Sequence, residues 1–101
     1  MANNHDLGAW QRVHLIHSLV ASIVRKAVLL VITKHEARRD GICRASVTTI
    51  AREASISRKW AGREITSLVA DGLIVVIQRK NGVAPHIEID WDRIQAVASG
   101  T

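Results

Sequence analysis

From Ala9 to Arg38 the chain contains neither proline nor glycine, and apolar residues recur at helical spacing. Trp10, Val13, Ile16, Leu19 or Val20, Ile23, Ala27, Leu30 and Val31 form one broad stripe, which predicts one long helix or two helices meeting near residues 18–22. The pattern then shortens. Val47–Ala54 turns Ile50, Ala51 and Ala54 inward behind Ser46, a hydroxyl suited to capping the first turn. Ser55-Ile56-Ser57 interrupts the period, with Ile56 as the apolar plug of a corner and Ser57 as the next cap. Over Arg58–Asp71 the apolar positions Ala61, Ile65, Leu68 and Val69 make a single stripe, and Gly72 supplies a left-handed stop. Leu73–Gln78 is a β-branched run too short for a helix, and His86–Ile89 alternates polar and apolar as a half-buried strand does. Between them the Asn81-Gly82 pair marks a turn. Asp90 caps a last short helix in which Trp91, Ile94 and Val97 share a face, with Trp91 expected to pack on the core or across a dimer interface.

The connecting segments carry weaker signals. Residues 1–8 are polar and read as a disordered tail, with Asp6 a candidate cap for the first helix; 99–101 form a second tail. His35 to Gly41 reads as a charged helix end followed by a loop, with Arg38 and Arg39 facing the negative end of the helix dipole. Ile42-Cys43 reads as a short strand pairing with the later hairpin, Cys43 being half-buried.

A short helix, a three-residue turn and a longer helix with a cationic leading edge follow helix-turn-helix logic. A hairpin with a basic tip directly after it completes a winged-helix arrangement. The residues Leu29, Leu30, His35, Gly41, Cys43, Ser46, Ile50, Ala51, Ser57, Arg58, Leu68, Gly72, Leu73 and Ile74 carry a family resemblance. Over roughly half its length the chain resembles the winged helix-turn-helix domains of bacterial plasmid and phage replication and regulatory proteins. That resemblance implies a mainly α fold with a small β-hairpin (α+β), carrying extra N-terminal and C-terminal helices, and a role in binding DNA. The sequence departs from the pattern at Trp60, where such domains usually have Thr, and at Ala61, where they usually have Val. Family base preferences therefore do not transfer.

Composition narrows the field. A chain of 101 residues suits one compact domain, here 9–98, with the helix-turn-helix at 46–72 and the wing at 73–89. Fourteen Lys and Arg face nine Asp and Glu, a formal charge of +5 that favours a polyanionic partner. One cysteine excludes an internal disulfide framework and fits a reducing cytoplasm, or nucleoid association there. The apolar run Ala27–Ile32 is far shorter than the roughly 20 residues of a spanning helix, so no membrane role is expected. His14 and His17 share a helix side without a third ligand, so no metal is expected. No phosphate-cradling glycine loop, paired-carboxylate motif or nucleophile elbow is present, so neither a cofactor nor enzyme activity is expected.

The expected partner is double-stranded DNA. Arg58–Asp71 would enter the major groove, and the basic connection at 79–85 would lie on the flanking backbone or minor groove. Ser57, Arg58 and Lys59 would meet phosphates at the helix start, where free N–H groups add to the attraction. Arg63 is the candidate guanine contact, Gly62 the point of close approach, and Thr66 a peripheral polar contact. Ser46 and Thr48 would touch backbone phosphate, and Arg79 and Lys80 would project from the wing. Trp60 has two readings: a contact to a thymine methyl or sugar edge, or a sideways cover over Ile50 or the wing. The function class is a sequence-specific DNA-binding homodimer acting in transcription, replication, partition or excision. The alternative is a protein-interaction module docking a partner through the Trp60 face.

Overall fold

The computed structural model describes residues 7–77 and 86–100. The chain is mainly helical, with one small antiparallel sheet, an α+β architecture. Its elements run α1 (Ala9–Ser18), α2 (Ile23–Lys34), β1 (Ile42–Cys43), α3 (Val47–Ala54), α4 (Arg58–Ala70), β2 (Ile74–Ile77), β3 (His86–Ile89) and α5 (Trp91–Ala98). The strand order is β1-β3-β2, with Ile42 opposite Glu88 and Ile74 opposite Ile89. The short strand at Ile42-Cys43 does pair with the later one, although Cys43 is fully rather than half buried.

The break between α1 and α2 falls within 18–22, where Leu19 and Ser22 are extended. Ser22 restarts the helix by accepting a hydrogen bond from the Arg25 N–H at 3.1 Å. This interruption resets the helical phase, so a continuous stripe through both helices misplaces several residues. Trp10, Val20 and Ile23 are exposed, Trp10 by 81%. Ile16, Leu19 and Val31 of the stripe are buried as expected, and Val28, Leu29 and Ile32 from outside it join them. The first described cap is Gly8, whose N–H donates to Gln11 Oε1 at 2.8 Å; Asp6 lies outside the described residues.

The second helix also ends earlier than its charge pattern suggests, at Lys34. Glu36 leaves it to form a β-bridge with Cys43, and the Ala37 N–H donates to the Ile42 carbonyl at 3.1 Å. Backbone groups engaged with β1 cannot continue a helix. Arg38 and Arg39 therefore sit in an exposed turn rather than at a helix C-terminus. Asp40 fastens that turn: its carboxylate accepts from the Ile42 N–H at 3.0 Å and from Arg44 at 2.7 Å. The Arg44 hydrogen bond and then the Ile42 N–H hold the Asp40 carboxyl down at about 2. A folded-state pKa below the unfolded value makes this contribution complete above pH 3.8 and lost as pH falls toward about 2. Asp40→Asn is expected to be less stable than the parent at neutral pH, with the gap closing across that window in urea titrations.

The core gathers α1, α2, α3, α4, the sheet and α5 around Leu29, Ile32, Ile50, Leu68, Ile87 and Trp91. It is aliphatic apart from Trp91, which is 1% exposed. Of the stripe expected on α4, Ala61, Ile65 and Leu68 are buried, whereas Val69 is 42% exposed because it lies one residue past the contact line. On α5, Trp91 and Ile94 are buried and Val97 faces partly outward.

Candidate nucleic-acid interface

The α3–α4 corner sets the direction of the candidate interface. Ser46 caps α3, accepting from the Thr49 N–H at 3.1 Å, and its hydroxyl also reaches Thr49 Oγ1 at 3.1 Å. At the far end Ser55 adopts φ 61°, a left-handed stop that a non-glycine residue enters at a cost of about 1–2 kcal/mol. That stop turns the chain so that Ile56 packs against the core while Ser57 opens α4. The Ser57 hydroxyl accepts from the Trp60 N–H at 3.0 Å.

On α4 the buried side and the charged side are cleanly separated. Arg58, Lys59, Trp60, Arg63 and Thr66 are all exposed. None of Arg58, Lys59 and Arg63 enters an ion pair among the described residues. Their one acidic neighbour within that stretch, Glu64, has its carboxylate held from α2. Arg25 donates to Glu64 Oε2 at 2.9 Å, to Asp71 Oδ2 at 2.6 Å, and to the Ser67 hydroxyl. This fork takes up the carboxylates of Glu64 and Asp71 and leaves Arg58, Lys59 and Arg63 without a competing acid. Sequence reasoning missed it, because the partners lie 39 to 46 residues away and no local pattern marks Arg25.

Two shallow grooves of about 370 Å³ flank the exposed edge. Val47, Arg58, Lys59 and Gly62 line one; Ser57, Lys59, Trp60, Arg63 and Glu64 line the other. The α4 candidates Ser57, Arg58, Lys59, Trp60, Gly62 and Arg63 are thus brought to one surface. Thr66 lies one turn further along, and its hydroxyl donates back to the Gly62 carbonyl at 3.0 Å. Thr48 is exposed on α3, whereas Ser46 has its hydroxyl committed to the cap. Arg79 and Lys80 lie outside the described residues.

Gly62 has no packing reason to lack a side chain: a methyl group added there meets nothing within 4 Å. Mid-helix glycine costs about 1 kcal/mol relative to alanine. Gly62→Ala is therefore expected to raise stability by about 0.5–1 kcal/mol, measurable as a higher urea midpoint.

Other charged residues tie the scaffold together. Lys34 and His35 converge on Glu53 Oε1 at 3.1 and 2.9 Å, tying the end of α2 to α3. Beneath α1, Glu36 is the deepest acid, its side chain 2% exposed between Arg12 and the Trp91 indole. Burial pushes its carboxyl up, against the opposing pull of the Trp91 N–H and Arg12. Among the described residues no group of three His, Cys, Asp or Glu could hold a metal ion, and no helix is long and apolar enough to cross a membrane. Compared with protein-family models, curated proteins and solved structures, the chain finds no match.

Proposed function

We propose that this chain is a sequence-specific double-stranded DNA-binding protein built as a winged helix-turn-helix, with α4 as the recognition helix. The observation that carries the reading is the separation of charge on α4. Arg58, Lys59 and Arg63 stand exposed without an acidic partner among the described residues, while the carboxylate of the neighbouring Glu64 is taken up by Arg25. A helix lying in the major groove needs cations on its outer edge to replace condensed counterions, and donors that reach base edges. The element order supports the same reading: α3 and α4 meet at a tight corner, and the β2–β3 pair follows directly. Arg79 and Lys80, placed by sequence between β2 and β3, would add charge to the flanking backbone or minor groove.

In this reading Arg63 contacts guanine, Arg58 and Lys59 with the start of α4 meet phosphates, and Gly62 lets the helix approach closely. The protein works without catalysis, as a homodimer on a palindromic or repeated site. The exposed Trp10, Val20 and Ile23 of the N-terminal segment are available to the second copy. Transcriptional control, plasmid or phage replication, partition and excision all use such a unit. A second reading, a module that docks a protein partner, draws on Trp60, which stays 50% exposed outside the core cluster.

Selection of bound fragments from a random duplex library, followed by salt titration of the winners, tests the proposal. An enriched motif with a steep salt slope supports it, and half-site spacing reports dimer geometry. A library that returns no motif and no bound duplex transfers the assignment to the docking reading.

A further inference from the structure

Trp60 stands apart from the other two tryptophans. Trp91 is sealed in the core and Trp10 sits on the N-terminal helix, whereas Trp60 is exposed among Lys59, Arg63 and Ser57 on the edge of α4. An indole on that edge is out of place for contact with phosphate alone, because it brings a large apolar face to a charged surface. The one apolar group that the major groove offers is the C5 methyl of thymine.

The spacing of the two side chains suits neighbouring base pairs. Trp60 and Arg63 are three residues apart and share a helix face. Along the axis that separation is about 4.5 Å, close to the roughly 3.4 Å step between stacked base pairs. Both residues line the same shallow groove, so a base-pair edge seated there meets an indole and a guanidinium together. Glu64 on the rim of that groove has its carboxylate engaged by Arg25 at 2.9 Å, which quenches its competing pull on the guanidinium.

We infer that Trp60 is a specificity-determining residue that packs on a thymine methyl in the base pair adjacent to the guanine read by Arg63. The inference rests on the DNA-binding reading above and adds to it the identity of a second base. The test uses the full chain and a duplex recovered from library selection. Each thymine of that duplex is replaced in turn by uracil, which removes the methyl and leaves the hydrogen-bonding edges unchanged. One position beside the essential guanine is expected to lose about fourfold in affinity, the worth of one buried methyl group. In Trp60→Ala the same replacement is expected to change nothing, while the essential guanine remains essential. Trp60 lies outside the core, so the variant keeps its fold, with its urea midpoint as the check. If uracil is tolerated everywhere, or its cost persists in Trp60→Ala, the Trp60 inference is overturned while DNA binding stands. If no duplex is recovered at all, the DNA reading and the inference built on it fall together.

Discussion

Trp91→Ala is expected to destabilise the protein by about 3–5 kcal/mol, a large share of the roughly 5–15 kcal/mol that holds a domain of this size folded. Three losses coincide at that position. The indole is the largest fully buried side chain of the core, and its removal leaves a cavity among aliphatic neighbours that relax only in part. Its Nε1–H donates to Glu36 Oε2 at 3.0 Å, so truncation deprives a nearly fully buried carboxylate of a donor. The Arg12 guanidinium, 5.5 Å above the ring, loses its aromatic support as well. Trp91→Phe separates these terms. It keeps much of the ring but removes the N–H, and should cost about 1–3 kcal/mol through the unsatisfied acceptor. Urea unfolding of both variants measures the split. Equal losses would show that the indole acts through its N–H, and a Trp91→Phe variant as stable as the parent would show that it acts through volume alone.

The sign of the Glu36 shift makes the same site sensitive to pH. A carboxyl whose folded-state pKa lies above its unfolded value favours the folded state as pH falls through that interval. Asp40 works in the opposite direction at lower pH. Asp40 and Glu53, both held below their ordinary values by cationic partners, favour unfolding in acid, and Glu36 opposes it.

Asp40 and Glu36 also show where the chain was readable and where it was not. The caps at Ser46, Ser57 and Asp90 were legible, because each is a local bond from a side chain to an N–H three residues on. So were the corner at Ile56, the two later strands, the pairing of Ile42-Cys43 and the core place of Trp91. What failed depended on partners far along the chain. Glu36 looked like a solvated helix end, yet it pairs with Cys43 through the backbone and with Trp91 across 55 residues. Arg25 carries no local signal of its role, and it clamps α2 to α4. The stripe through α1 and α2 held only in part: Ile16, Leu19 and Val31 are buried, but extended residues between the two helices shift the phase and leave Trp10 and Ile23 exposed. On the candidate interface, exposure of Arg58, Lys59, Trp60 and Arg63 followed from the position of the buried Ala61–Ile65–Leu68 line. Ser46 carried two readings, cap and phosphate contact, and its hydroxyl is engaged in the cap.

Arg63→Ala is expected to cost about 1–3 kcal/mol in duplex affinity and to relax the preference for guanine at one position of the selected site. Arg63 is exposed and enters no ion pair among the described residues, so its removal should leave stability within about 0.5 kcal/mol of the parent. That contrast distinguishes a contact residue from a scaffold residue, since Arg25→Ala would lower stability by releasing Glu64, Ser67 and Asp71. Lys59→Ala supplies the complementary case. A phosphate contact carries no sequence information, so its loss should weaken all duplexes alike and flatten the salt slope by about one unit. The measurement is affinity for the selected duplex and for its guanine-substituted versions, each across a salt series. Loss of discrimination with the salt slope nearly kept identifies Arg63 as a base reader. Uniform weakening with a flattened slope would reassign it to the phosphate backbone, and the essential guanine would then have to be read by another residue of α4.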